Sequence, residues 1–145
     1  MKILIAAGIA LSLWISTALA ATPVNTKHSD FAIHGYDTVA YFTRSEPVKG
    51  DKAFAVQYNG ATWLFANADH KGMFVDNPEK YAPQFGGFCA FAAAHDALSD
   101  VDPAAWHIVD GKLYLNYSQR VETMWLGNLS SNLAKAESFW LTQDN

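Results

Sequence analysis

Cysteine is nearly absent from this chain of 145 residues, since Cys89 is the only one. An intramolecular disulfide is therefore excluded, and stability must come from packing. Basic residues are also few: ten Lys and Arg stand against fourteen Asp and Glu, which gives a formal net charge of −4. A nucleic-acid binder needs a basic surface to neutralise phosphates, so the composition argues against a nucleic-acid partner. Binding to an anionic membrane surface is disfavoured for the same reason.

Long apolar runs are missing except at the N-terminus. There Lys2 precedes an almost uncharged segment, residues 3–17, and the small-x-small sequence Ala18-Leu19-Ala20 follows. This is the three-part pattern of a secretory signal peptide, so we predict residues 1–20 as a signal peptide cleaved before Ala21. An uncleaved anchor is the alternative, but a membrane span needs about 20 apolar residues. We therefore expect export and no stable membrane anchor after cleavage.

Cleavage would leave 145 − 20 = 125 residues, which is the length of one domain. The polar segment 21–30 is predicted to be a flexible lead-in, and residues 31–142 to form the domain. No internal repeat and no low-complexity segment is apparent in the sequence.

Two β-hairpins are predicted from one local pattern. Residues 54–58 alternate between side chains for the two faces of a strand, and residues 61–65 return after Asn59-Gly60. Residues 106–109 lead into Asp110-Gly111, and residues 112–117 return with the same alternation. Asn-Gly and Asp-Gly are favoured type I′ turn pairs between hairpin strands. A further short strand is predicted at residues 39–42, where four apolar residues follow one another.

Four helices are predicted from cap residues and apolar spacing. They cover residues 68–75 after Asn67, residues 88–95 after Gly86-Gly87, the segment from Ser118 to Gly127, and residues 129–140. The predicted fold class is α+β, with a small antiparallel sheet built from the two hairpins and helices packed against it. Six aromatic side chains are expected to share one core: Trp63, Phe65, Phe74, Trp106, Trp125 and Trp140.

Several segments resemble the YHS-domain family, in particular its exported small bacterial branch. The most specific is the stretch from Lys71 to Tyr81, which ends Asn-Pro-Glu-Lys-Tyr. Residues 35–42, 63–65, 86–92 and 109–117 also match. The resemblance covers residues 33–140. It implies a YHS-like fold and a bacterial periplasmic location.

YHS domains are often described as metal-binding, so the resemblance implies a metal-related role. In the form attached to heavy-metal transporters, three cysteines hold the metal. Their positions fall on Ala40, Ala66 and His70 of this chain, and only His70 is a possible ligand. The resemblance therefore implies a protein that lacks most of the metal-binding cysteines of the family.

Cys89 and His70 are the candidate metal ligands, with His34 and His107 as possible additional ones. A thiolate with an imidazole suits soft or borderline ions such as Cu or Zn. Each residue also has a structural interpretation. Cys89 lies among phenylalanines and could be a buried small side chain. His70 could be a boundary histidine bonded to backbone.

Two functions follow from these observations. The first is a periplasmic accessory protein that binds or handles Cu or Zn through Cys89 and His70. The alternative is a non-catalytic module with a decayed metal site that binds a small ligand or a periplasmic protein partner. A Cys-His nucleophilic pair has no local support, so an enzyme is not favoured. Asp37 is interpreted as capping a turn, with a pocket lined by Tyr36, Asp37 and Tyr41 as the alternative.

Overall fold

The computed structural model describes residues 22–143, so the predicted signal peptide lies outside the described residues. Within them the fold is α+β, as predicted. The strands are β1 (Asp51–Tyr58), β2 (Ala61–Phe65), β3 (Asp102–Val109) and β4 (Lys112–Asn116). The α-helices are α1 (Ala40–Thr43), α2 (Ala68–Asp76), α3 (Pro78–Tyr81), α4 (Ala90–Ala93), α5 (Gln119–Gly127) and α6 (Leu129–Trp140). Two 3-10 turns span Ala32–Gly35 and Gln84–Gly87.

Both predicted hairpins are present, but they form two separate sheets in the described part of the chain. β1 pairs antiparallel with β2, and β3 pairs antiparallel with β4. The turn residues Asn59 and Asp110 adopt positive φ angles of 50°, and a glycine follows each of them. This conformation is the one that type I′ turns require, and so the turn chemistry sets the register of both hairpins.

The strand predicted at residues 39–42 is wrong, because this segment begins helix α1. The carboxylate of Asp37 accepts hydrogen bonds from the backbone N–H groups of Val39 and Ala40. These N–H groups are the ones that lack partners at the start of a helix, and a carboxylate stabilises them. Four apolar residues in a row are compatible with either a strand or a helix. The capping hydrogen bonds of Asp37 favour the helix.

The predicted helix caps are confirmed at two places. Asn67 accepts from the N–H of His70 at the start of α2, and Ser118 accepts from the N–H of Val121 at the start of α5. The helix predicted over residues 88–95 is shorter than expected, since α4 covers only Ala90–Ala93.

The chain contains a structural repeat that the sequence did not reveal. Residues 32–81 form the first repeat and residues 84–140 the second, and each has the order 3-10 turn, short helix, hairpin, nine-residue helix, final helix. The pairing registers of the two hairpins superimpose with a constant offset of 51 residues, including the irregularity after the first pair. The expectation of no internal repeat is therefore wrong at the level of structure.

Backbone geometry supports the repeat independently of the elements. Every described residue with positive φ has a counterpart 51 or 52 positions away. Ile33 matches Phe85, with φ angles of 51° and 55°, and Ser45 matches Asp96, with 54° and 58°. Such angles are uncommon outside glycine, so their recurrence at matching places is a strong sign of one architecture built twice.

The buried side chains of residues 22–143 form two clusters, not the single core that was predicted. The first cluster lies between the hairpins and includes Trp63, Phe65, Phe74 and Leu113, with Trp106 packed against it. The second includes Phe85, Tyr114, Trp125 and Ala136, with Trp140 packed against it. The reason is geometric, because β4 is buried on both faces and contributes Leu113 to one cluster and Tyr114 to the other.

The segment predicted as a flexible lead-in is attached to the fold at Asn25, which is completely buried. Its backbone N–H donates to Gly86 O at 2.9 Å, and its side chain donates to Gly87 O at 3.1 Å and to Asp100 Oδ1 at 2.9 Å. Asn25 therefore ties the N-terminal segment to the 3-10 turn of the second repeat. Among the described residues, no helix has the length and apolar character to cross a membrane.

Candidate functional site

A groove with aromatic walls lies between the N-terminal segment, the first hairpin and the end of α6. Its volume is about 240 Å³. We call it the aromatic groove and define it by four side chains: Tyr58, Trp63, Phe85 and Trp140. The other described residues that line it are Thr22, Pro23, Val24, Asn59, Glu79, Ala82, Pro83, Gln84 and Gly86.

The folding of separate segments produces these walls. Tyr58 ends β1 and Trp63 lies in β2, where the indole N–H of Trp63 donates to Tyr58 O at 2.9 Å. Phe85 packs edge-on against Trp140, with ring centroids 6.1 Å apart. Because Trp140 is half-buried, part of its indole remains free to contact a ligand.

The N-terminal segment closes one side of the groove at a position that requires glycine. Gly86 has a φ of 61°, and a Cβ atom there would lie 2.0 Å from Pro23 O. Any larger residue would push the segment away from the groove. Pro23 is therefore held against the groove by both the absence of a side chain at residue 86 and the hydrogen bonds of Asn25.

The aromatic groove is acidic. Of the described residues lining it, Glu79 is the one that carries a charge at neutral pH. Glu79 forms no ion pair with any described residue, and the neighbouring Lys80 places its Nζ over the ring of Tyr81, 5.0 Å from the centroid. The carboxylate of Glu79 is thus available to a positively charged group in the groove.

A second site is built around the buried carboxylate of Asp37. The two oxygens accept from the N–H groups of Val39, Ala40 and Ala66, and Oδ2 lies 2.6 Å from Nδ1 of His70. Ala40, Ala66 and His70 are the three positions that the YHS resemblance implies as metal ligands, and the fold brings them to one carboxylate. His70 supplies a side chain there, but its Nδ1 is already bonded to Asp37.

Asp37 was interpreted from the sequence as the cap of a turn, and it does act as a cap, but of helix α1. It also joins α1 to the end of β2 and to α2. Its side chain is fully buried. The partners on all sides offset the cost of burying a charge.

Cys89 occupies the position of the second repeat that corresponds to Asp37. Its side chain accepts from the N–H of Ala92, as the carboxylate of Asp37 does from Ala40, and its Sγ lies 3.6 Å from Asn116 Oδ1. Burial raises the pKa of the Cys89 thiol, and hydrogen bonds from backbone groups only partly oppose this effect. Cys89 is 1% exposed. Its geometry is that of a protonated, shielded thiol and not of a reactive one.

His34 lies in a third cluster of polar side chains, near the N-terminal segment. Its Nε2 lies 2.8 Å from Asp100 Oδ1, and Nε2 of His28 lies 2.9 Å from Asp100 Oδ2. Desolvation works to raise the pKa of Asp100, but the hydrogen bonds of His34 and Asn25 outweigh it, so the pKa of Asp100 lies below its ordinary value. The cluster fastens the N-terminal segment.

The four predicted ligands thus lie in separate environments. His107 faces Glu122, with Nδ1 3.5 Å from Oε1, and is half-exposed. Within residues 22–143, no group of three or more His, Cys, Asp or Glu side chains is arranged to hold a metal ion. The metal function stays a prediction of the sequence, without a coordinating geometry that supports it.

Comparison of the chain with protein-family models, with curated proteins and with solved structures finds no match. The resemblance to the YHS family likewise stays a prediction. The aromatic groove was not predicted from the sequence. Its one charged residue, Glu79, lies inside the most specific family-like segment, but nothing in that segment indicates that it borders a groove.

Proposed function

We propose that the protein is a binding module whose aromatic groove holds a small organic cation with an aromatic or branched apolar body. The observation that carries this proposal is the groove itself, with four aromatic walls and one free carboxylate. A concave site with mostly apolar walls and a few polar groups is the usual form of a small-molecule site.

The size of the groove indicates a small ligand. Its volume of about 240 Å³ lies below the roughly 300 Å³ at which ligand pockets of drug-like size begin. Tyr58 and Trp140 are partly exposed and offer ring surfaces to an apolar body, while the buried rings of Trp63 and Phe85 pack against them. Aromatic rings also attract cations through their electron-rich faces.

The charge of the ligand follows from Glu79. A ligand carboxylate would meet a like charge in the groove, and no described lining residue offers a cation to balance it. An ammonium group would instead pair with Glu79. The expected ligand class is therefore amines and not carboxylic acids.

Calorimetric titration with three indoles that differ in charge tests the proposal. Tryptamine is a cation, indole is neutral and indole-3-acetate is an anion, while the aromatic body is the same. We expect tryptamine to bind best and indole-3-acetate worst. Because Glu79 is exposed, Glu79→Gln should weaken the binding affinity for tryptamine by only roughly three- to fivefold. The affinity for indole should not change.

Glu46→Gln is the matched control, since Glu46 is also exposed but lies outside the groove. Equal binding of all three indoles would reject the cationic ligand class. Absence of binding by all three at millimolar concentration would reject the groove as their site.

A further inference from the structure

A chain of hydrogen bonds leads from buried Asp37 through His70 to the hydroxyl of Thr43. Asp37 Oδ2 lies 2.6 Å from His70 Nδ1, and His70 Nε2 lies 3.1 Å from Thr43 Oγ1. Asp37 is fully buried, His70 is 8% exposed and Thr43 is exposed. The three residues have the order carboxylate, imidazole, hydroxyl in which an orienting group and a base activate a nucleophile.

The contacts of Asp37 determine how the hydrogens are placed. An ionised carboxylate can only accept hydrogen bonds, so the hydrogen shared with His70 lies on Nδ1. In the neutral imidazole, this placement leaves the lone pair of Nε2 facing Thr43 Oγ1. The hydroxyl of Thr43 has one hydrogen, which can be donated to Nε2 or to Val39 O at 3.2 Å. In the first arrangement the imidazole is placed to remove the proton of the hydroxyl.

The second repeat shows that the fold can form without these three hydrogen-bonded residues. Cys89 lies at the position of Asp37. Val121 lies at the position of His70, since each is the third residue after its helix cap, Ser118 or Asn67. The same hairpin and helix fold there around a thiol and an isopropyl group. Buried polar groups cost free energy unless all their hydrogen bonds are formed. Packing alone therefore does not explain why Asp37 and His70 occupy these positions in the first repeat.

We propose that Thr43 is a nucleophile that accepts acyl groups from small activated carboxylic esters or thioesters, with His70 as its base and Asp37 as the positioning residue. Thr43 Oγ attacks the carbonyl carbon while its proton passes to His70 Nε2. The bond to the leaving oxygen or sulfur then breaks, and the leaving group takes that proton. The products are O-acyl-Thr43 and a free alcohol, phenol or thiol. None of these three residues lines the aromatic groove, so this activity is independent of ligand binding there.

The experiment treats the folded chain with p-nitrophenyl acetate and follows acetylation of the peptide that contains Thr43 by mass spectrometry. We expect one acetyl group on Thr43, formed about 10²-fold faster than in the His70→Gln variant, since general bases contribute at least this factor.

Two variants keep the test independent of stability. Thr43→Val removes the hydroxyl at an exposed position and keeps the shape of the side chain, so acetylation of this peptide should disappear while the fold remains. Asp37→Cys with His70→Val copies the pair found in the second repeat, and should fold but acetylate Thr43 at the slow rate. Acetylation confined to lysines in the wild type, or a Thr43 rate that is equal in wild type and His70→Gln, would overturn the proposal.

Discussion

The carboxylate of Asp37 and the imidazole of His70 meet at 2.6 Å, although 33 residues separate them in the chain. Both side chains are buried, and the pair connects the start of α1 with the first turn of α2. In the second repeat, Cys89 and Val121 take the same two places. The fold thus contains two different residue pairs at equivalent positions, and only the pair in the first repeat carries a carboxylate and an imidazole.

The first prediction concerns the energy of this pair. His70→Val leaves the buried carboxylate of Asp37 without its side-chain partner, and breaking such a pair should cost about 3 kcal/mol or more of unfolding free energy. Adding Asp37→Cys to this variant removes the unpaired carboxylate and should recover part of the loss. Urea denaturation of both variants measures the difference. A double variant less stable than His70→Val would show that the two repeats are not interchangeable at these positions.

The second prediction concerns Trp125, which is completely buried in the second cluster. Trp125→Ala should cost about 3–5 kcal/mol, because it deletes a large buried ring and leaves a cavity. Trp125→Phe should cost much less, since the indole Nε1 of Trp125 has no hydrogen-bond partner among the described residues. Denaturation midpoints compare the two. Equal losses would show that the indole nitrogen does have a partner that stabilises the fold.

The third prediction concerns alkaline pH. Burial raises the pKa of Cys89 above its ordinary value of 9.0, and it raises the pKa of Tyr41 as well. The unfolded chain therefore loses these protons first as the pH rises, so unfolding free energy should fall from about pH 9 upward. In Cys89→Ala the fall should be smaller. A Cys89→Ala variant with the same pH dependence as the wild type would contradict the assignment to the thiol.

The fourth prediction concerns the metal site that the sequence predicts at Cys89 and His70. Titration with Cu(I) and with Zn against a competing chelator measures affinity in the wild type, Cys89→Ser and His70→Ala. Since Cys89 and His70 lie in different environments, we expect neither substitution to change the affinity. A loss in both variants would establish the metal site predicted from the sequence, and would show that the protein rearranges to form it.

Local chemistry made much of the fold predictable. The turn pairs at residues 59–60 and 110–111 and the caps Asn67 and Ser118 act over a few residues, and each was identified correctly. The repeat is not visible in the sequence because few positions that lie 51 residues apart hold the same amino acid. Among those that do are Asp51 and Asp102, each of which accepts from an N–H two residues later. The repeat preserves turns and caps, whereas its core residues differ.

The candidate sites were less predictable for a physical reason. The contact of Asp37 with His70 and the closing of the aromatic groove by Pro23 depend on segments that are distant in sequence. Hydrophobic period and cap residues carry no information about such contacts. The short apolar run at residues 39–42 shows the same limit within one element, because only the capping bonds of Asp37 decide that it is helical.

The most direct measurement of the proposed function is an NMR titration of the ¹⁵N-labelled protein with tryptamine. Binding in the aromatic groove should shift the indole N–H signal of Trp140 and the backbone amide signals of Asn59 and Gly86. The indole signal of Trp106, which packs against Tyr41 and does not line the groove, should stay in place. Saturable shifts at Trp140, Asn59 and Gly86 are the result that the proposal predicts. Unchanged signals at these three residues, or shifts confined to other parts of the protein, would contradict it.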